Sequence, residues 1–96
     1  MKVRWADKAL TEAYRIFAYI LPDNPTAARA VYDAAFVTAN TLVRFPYRYR
    51  DRGGGYRRVP VAHYDYCILY GVRQAVDGPY VSIESVRHAA RRPQPR

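Results

Sequence analysis

YRRVPVAHYDYCILYGVRQAVDGPYVSIESV, residues 56–86, is the stretch whose reading decides the fold. Tyr66, Ile68, Tyr70 and Val72 alternate with Cys67 and Leu69. A strand apolar on both sides belongs in the middle of a sheet. Tyr56 to Val61 reads as the strand before it, with Val59 and Val61 on one face. Pro60 has no N–H to give a neighbour, which puts that strand at an edge or a bulge. Tyr80 to Val86 reads as the strand after it, with Val81 and Ile83 on one face. His63-Tyr64-Asp65 and Asp77-Gly78 supply the turns between them. Three strands joined by turns predict an antiparallel meander.

The residues upstream change period. Lys2-Val3-Arg4-Trp5 alternates as a short strand. Asp7 is a suitable helix N-cap. Leu10, Ala13, Tyr14, Phe17, Ile20 and Leu21 then recur at helical spacing until Pro22. Asn24-Pro25 restarts a helix, with Asn as N-cap and Pro in the first helical position. Its stripe is Ala28, Val31, Tyr32, Ala35, Ala39, Leu42 and Val43, and Phe45-Pro46 ends it. About four residues separate the helices, the connection of an antiparallel helical hairpin. The expected fold is α+β in the order β-α-α-β-β-β. The hairpin packs on one face of a mainly antiparallel, twisted sheet and leaves the other face partly open.

Between helix and meander lies YRYRDRGGG, residues 47–55. The glycines lack the Lys-Ser/Thr of a phosphate-cradling loop and read as a turn. Tyr47, Tyr49 and Tyr56 can stack on bases or anchor the loop to the sheet. Tyr14, Tyr32, Tyr66 and Tyr70 sit at core-facing spacings.

Ninety-six residues predict one domain, 1–96, with a basic, proline-bearing tail from about residue 89. The net charge of +8 is uneven. Residues 1–43 carry five basic and four acidic groups, and residues 44–96 carry eleven and four. Such a field attracts nucleic acid, acidic protein or an anionic surface. Fourteen of the sixteen basic residues are Arg, whose fork suits phosphate and carboxylate. Cys67 is the only cysteine, so no internal disulfide and no cysteine-based metal site is expected. The absence of a signal-peptide core after Met1 and of any bilayer-length apolar run predicts a cytoplasmic protein without a membrane partner.

Enzyme signatures are sparse. His63 and His88 stand apart, so no metal and no cofactor is expected. One reaction needs neither: cleavage of RNA through its own 2′-hydroxyl, which requires a base, an acid and positive charge around the phosphate. Arg58, Arg87 and His88 carry that chemistry if they converge. The competing reading is that Arg57 and Arg58 are a solvated strand end and that His88 packs against the sheet edge.

VRWADKALTEAYRIFAYILPDNPTAARAV, residues 3–31, resembles the start of the ParE/RelE superfamily of toxins from bacterial type II toxin–antitoxin (plasmid-stabilisation) modules. The Phe45-Pro46 step, YRRVPVAHYDYCILYGV and the closing VSIESVRHAAR, with its H-x-x-R of His88 and Arg91, resemble the rest of that family. The resemblance implies a growth-arresting toxin neutralised by a cognate antitoxin that is acidic and partly disordered when free. RelE-like members cut mRNA on the ribosome with basic residues and a late Tyr or His. ParE-like members poison DNA gyrase. No tyrosine follows Tyr80, no lysine follows Lys8, and His88 is followed by Ala89. These departures, with the H-x-x-R ending and the Asn-Pro hairpin, favour the ParE-like branch and no catalytic residue. Arg57, Arg58, Arg87, His88, Arg91 and Arg92 are the expected target contacts. Tyr14, Phe17, Arg57, Arg58 and Tyr66 are the expected antitoxin contacts. A metal-independent, ribosome-dependent endoribonuclease using Arg58, Arg87 and His88 is the alternative, and an inactive binding module a further one.

Overall fold

The structure is a computed structural model and describes residues 1–89. The order is β1 (Lys2–Trp5), α1 (Asp7–Ile20), α2 (Pro25–Thr41), β2 (Tyr56–Pro60), β3 (Tyr66–Ala75) and β4 (Gly78–His88). The sheet runs β1-β4-β3-β2. β4, β3 and β2 pair antiparallel as a meander, and β1 joins β4 in parallel. The twice-apolar segment is therefore an inner strand, and the Pro60 strand is an edge. β4 continues two residues beyond Val86, because Arg87 and His88 still find partners in Cys67 and Tyr66.

One face of the sheet carries the core. Val59, Ile68, Tyr70, Val81, Ile83 and Val86 are buried there against Ala9, Ala13, Ala39 and Leu42 of the helical segment. Small alanines let α1 approach β4 closely, and α2 packs against α1. α2 buries Ala28, Val31, Ala35 and Ala39, as its periodicity predicts. Asn24 Oδ1 accepts the Ala27 N–H at 3.0 Å, so the cap is the expected one.

α1 departs from expectation in two ways. Its N-cap is Ala6 and makes no side-chain capping bond; Asp7 is the first helical residue. There its negative charge favours the positive end of the helix dipole. The helix also presents its alanine face inward, burying Ala9 and Ala13, while Leu10, Tyr14 and Leu21 stay 40%, 60% and 39% exposed. Tyr14 is thus not a core residue, although Tyr70 is fully buried and Tyr32 and Tyr66 pack partly against the core. α1 carries two apolar stripes, and only the small one fits against the sheet. The bulkier stripe adjoins an aromatic seam, in which Tyr14, Phe17, Tyr32, Phe36 and Trp5 follow one another at centroid distances of 6.0, 5.4, 5.0 and 4.4 Å.

β1 ends at Trp5, opposite Ile83, so the outer edge of β4 beyond that point lacks a strand partner. α1 fills the gap. Glu12 Oε1 accepts the Val86 N–H at 3.0 Å and the Ser85 hydroxyl at 2.8 Å. The β3–β4 register shifts by one residue between Leu69 and Tyr70, where Glu84 is the extra residue of a β-bulge.

The segment from Leu42 to Gly55 folds back over the edge of the core face. The Tyr70 hydroxyl donates to the Pro46 carbonyl at 2.8 Å, and Arg57 Nη1 donates to the Tyr49 carbonyl. Gly53, Gly54 and Gly55 all have positive φ, at 122°, 63° and 80°. Three successive left-handed residues explain the glycine run: the chain reverses there to enter β2.

Candidate interaction surfaces

Neighbouring residues on a strand point to opposite faces, and this separates the candidate residues. Arg57 pairs with Tyr70 and lies on the core side, its guanidinium 5.0 Å from the Tyr47 ring centroid. It holds the loop in place. Arg58 pairs with Leu69 and lies on the helix-free face, its Nε 3.2 Å from Cys67 Sγ. Arg52 joins it around an open depression of about 350 Å³, with Pro60, Cys67 and Ala89 as the remaining lining.

His88 is opposite Tyr66 and meets its ring edge-on at 5.2 Å. Both side chains belong to the α1 side, where they line an open groove of about 520 Å³ with Glu12, Arg15, Ile16, Tyr19 and Val86. Arg87, opposite Cys67, donates from Nε to Ser85 Oγ at 3.0 Å. Arg58 and Arg87 therefore flank Cys67, whereas His88 sits on the other side of the sheet. Arg91 and Arg92 lie outside the described residues. Tyr14 and Phe17 stand on the outer stripe of α1, and Tyr66 lies at the sheet end of the groove.

The helix-free face carries residues that strand alternation alone did not single out. The Arg4 guanidinium carbon is 4.4 Å from the Tyr80 ring centroid, and that of Arg73 is 4.8 Å from the Tyr56 centroid. Tyr80 is directly opposite Arg73. The hairpin register was the missing signal. Once Ala75 is known to pair with Gly78 across Val76 and Asp77, Arg73 must meet Tyr80.

Among the described residues no helix is long and apolar enough to cross a membrane. Burial pushes the Tyr70 phenol above its usual 10.0, and the positive charge of Arg57 opposes that shift.

Two kinds of relative share this architecture. A chain of the chromosomal ParDE toxin–antitoxin system of P. aeruginosa superposes with a TM-score of 0.78 at 14% identity, covering 92% of this chain and 95% of that one. A YoeB/ParE toxin from Agrobacterium tumefaciens superposes with a TM-score of 0.57, also at 14% identity, covering 92% and 98%. At that identity the likeness is one of fold. No curated protein sequence matches the chain. The sequence model of the ParE toxin of type II toxin–antitoxin systems, parDE, matches residues 3–93. Matched over nearly its whole length, the chain belongs to the ParE toxin family of type II toxin–antitoxin systems.

Proposed function

We propose that this protein arrests growth as a ParE-type toxin by poisoning DNA gyrase, and that a cognate antitoxin neutralises it. The observation that carries the choice of target is the separation of Arg58 and Arg87 from His88. RNA cleavage through the 2′-hydroxyl needs a base and an acid on the same phosphate. Here His88 contacts Tyr66 on the α1 side, while Arg58 lies on the opposite face. This arrangement supports action by binding. The target contacts are then Arg58, Arg87 and His88, with Arg91 and Arg92 as tail candidates, and Arg57 acts by holding the loop beside them.

For the antitoxin, support comes from the outer stripe of α1. Leu10 and Tyr14 of α1 and Leu21 at its C-cap are exposed apolar groups on one side of the helix, and Glu12, Arg15, Ile16 and Tyr19 on its other side line the groove that reaches Tyr66 and His88. A segment disordered when free folds onto such a surface through its apolar anchors. Acidic residues flanking those anchors complement the +8 charge of the toxin.

Induced expression without antitoxin tests the target. The expected result is that DNA synthesis stops before protein synthesis, with intact mRNA. Early loss of protein synthesis with codon-linked mRNA cuts would instead establish the endoribonuclease.

A further inference from the structure

The helix-free face carries a row of four side chains, one from each strand. In spatial order they are Arg4 on β1, Tyr80 on β4, Arg73 on β3 and Tyr56 on β2. Each arginine lies over the ring of a tyrosine, and Tyr80 and Arg73 are cross-strand partners. The floor beneath the row is prepared for this. A Cβ at Gly71 would come within 2.7 Å of the Arg73 guanidinium carbon. The lack of a side chain there lets Arg73 run back along its strand and reach Tyr56, which pairs with Gly71. Further along β2, beginning two residues past Tyr56 at Arg58, the same face carries the depression bordered by Arg52 and Arg58.

The charges on this face are only loosely compensated. Arg4 is 3.7 Å from Asp77, and Arg73 is 4.0 Å from Glu84, the outer limit of an ion pair. Exposed contacts of that length contribute little and yield to a better anion. Tyr56 is 39% exposed, and the side chain of Arg73 is 30% exposed, so neither is sealed in.

From this juxtaposition we infer that the helix-free face binds single-stranded nucleic acid. Bases stack on the Arg4–Tyr80 and Arg73–Tyr56 pairs, and a phosphate takes the Arg52–Arg58 depression. Aromatic rings and guanidinium planes are stacking platforms for unpaired bases, whose faces are hidden in a duplex. The arginine edges remain available to phosphate oxygens. An acidic peptide needs the charge but has no use for two ring-backed planes in line across a sheet. No cleavage is implied, since His88 is on the other side. The inference does not depend on the gyrase reading: a chain without effect on gyrase still binds single strands if it is right.

Fluorescence anisotropy on the purified full chain tests it. The probes are labelled oligothymidylate and oligouridylate of about a dozen nucleotides, within the span of roughly 4–16 nucleotides that one small single-strand-binding fold covers. A duplex of equal length and polyglutamate compete. Single strands are expected to bind more tightly than the duplex or polyglutamate, and the tighter of the two strands identifies DNA or RNA as the ligand. Tyr56→Leu and Tyr80→Leu are each expected to weaken binding about tenfold while leaving its salt dependence unchanged. Gly71→Ala, which displaces only the Arg73 guanidinium, is expected to weaken it as well and serves if a tyrosine variant misfolds. Absence of binding overturns the inference. So does equal competition by polyglutamate with no effect of these substitutions, which would assign the face to an acidic protein.

Discussion

Tyr70 ties three levels of this molecule together through one side chain. Its ring fills the core, its strand is central, and its hydroxyl pins the helix-to-sheet loop at Pro46. Tyr70→Phe keeps the ring and leaves the Pro46 carbonyl without that donor. We expect a loss of about 1–2 kcal/mol, read as a lower urea midpoint with an unchanged slope. The raised phenol equilibrium adds a pH signature. In the unfolded chain the phenol ionises near 10.0, whereas in the folded chain it holds its proton to higher pH. Its contribution is complete below 10.0 and is lost as pH rises through the folded-state value. Urea titrations above pH 10 should therefore fall less steeply for Tyr70→Phe than for the parent. Arg57 acts at the same place. Sequence alone groups it with Arg58, because both are basic and adjacent. Their side chains lie on opposite faces of the sheet, and the burial of Tyr70 beside Arg57 decides which one serves the loop.

At the scale of elements, Glu12 replaces a missing strand. β1 is short, and the N–H of Val86 would otherwise face outward with no strand beside it. The carboxylate accepts it together with the Ser85 hydroxyl, and Ser85 is fully buried. Glu12→Ala should cost about 1–3 kcal/mol in denaturant unfolding, because a buried hydroxyl loses its acceptor. Glu12→Gln retains a carbonyl oxygen and should cost less. Nothing in the spacing of residues around position 12 announces this contact, which spans 73 positions in the chain. The elements themselves were legible: alternation gave the meander, the Asn24-Pro25 step gave the second helix, and Pro60 gave the edge. The inward face of α1 was not. Periodicity finds apolar stripes, but α1 has two, and the choice of Ala9 and Ala13 over Leu10 and Tyr14 is made by how closely the helix must approach the sheet. The bulge at Glu84 does leave a trace, since Glu84-Ser85 puts two polar residues between Ile83 and Val86 and breaks the alternation there.

For the molecule as a whole, surface chemistry is divided between two sides. The helical side offers an apolar stripe and groove, and the helix-free side offers arginines and tyrosines. The charge excess of residues 44–96 was readable from composition, but its distribution was not, because cross-strand register decides which arginines share a face. The division predicts separable losses. Tyr14→Ala should weaken antitoxin binding at least several-fold in calorimetry while changing the unfolding free energy from urea titration by less than about 0.5 kcal/mol, as expected of an exposed side chain. Antitoxin affinity should fall with added salt where acidic residues meet the arginines. A salt-independent affinity would assign the energy to the α1 stripe alone. The central claim is that the chain acts on gyrase by binding. Its most direct measurement is a supercoiling assay with purified gyrase and purified toxin at micromolar concentration. The account predicts inhibition with cleaved plasmid trapped on the enzyme, abolished by the cognate antitoxin. Full supercoiling with no trapped cleavage would contradict it.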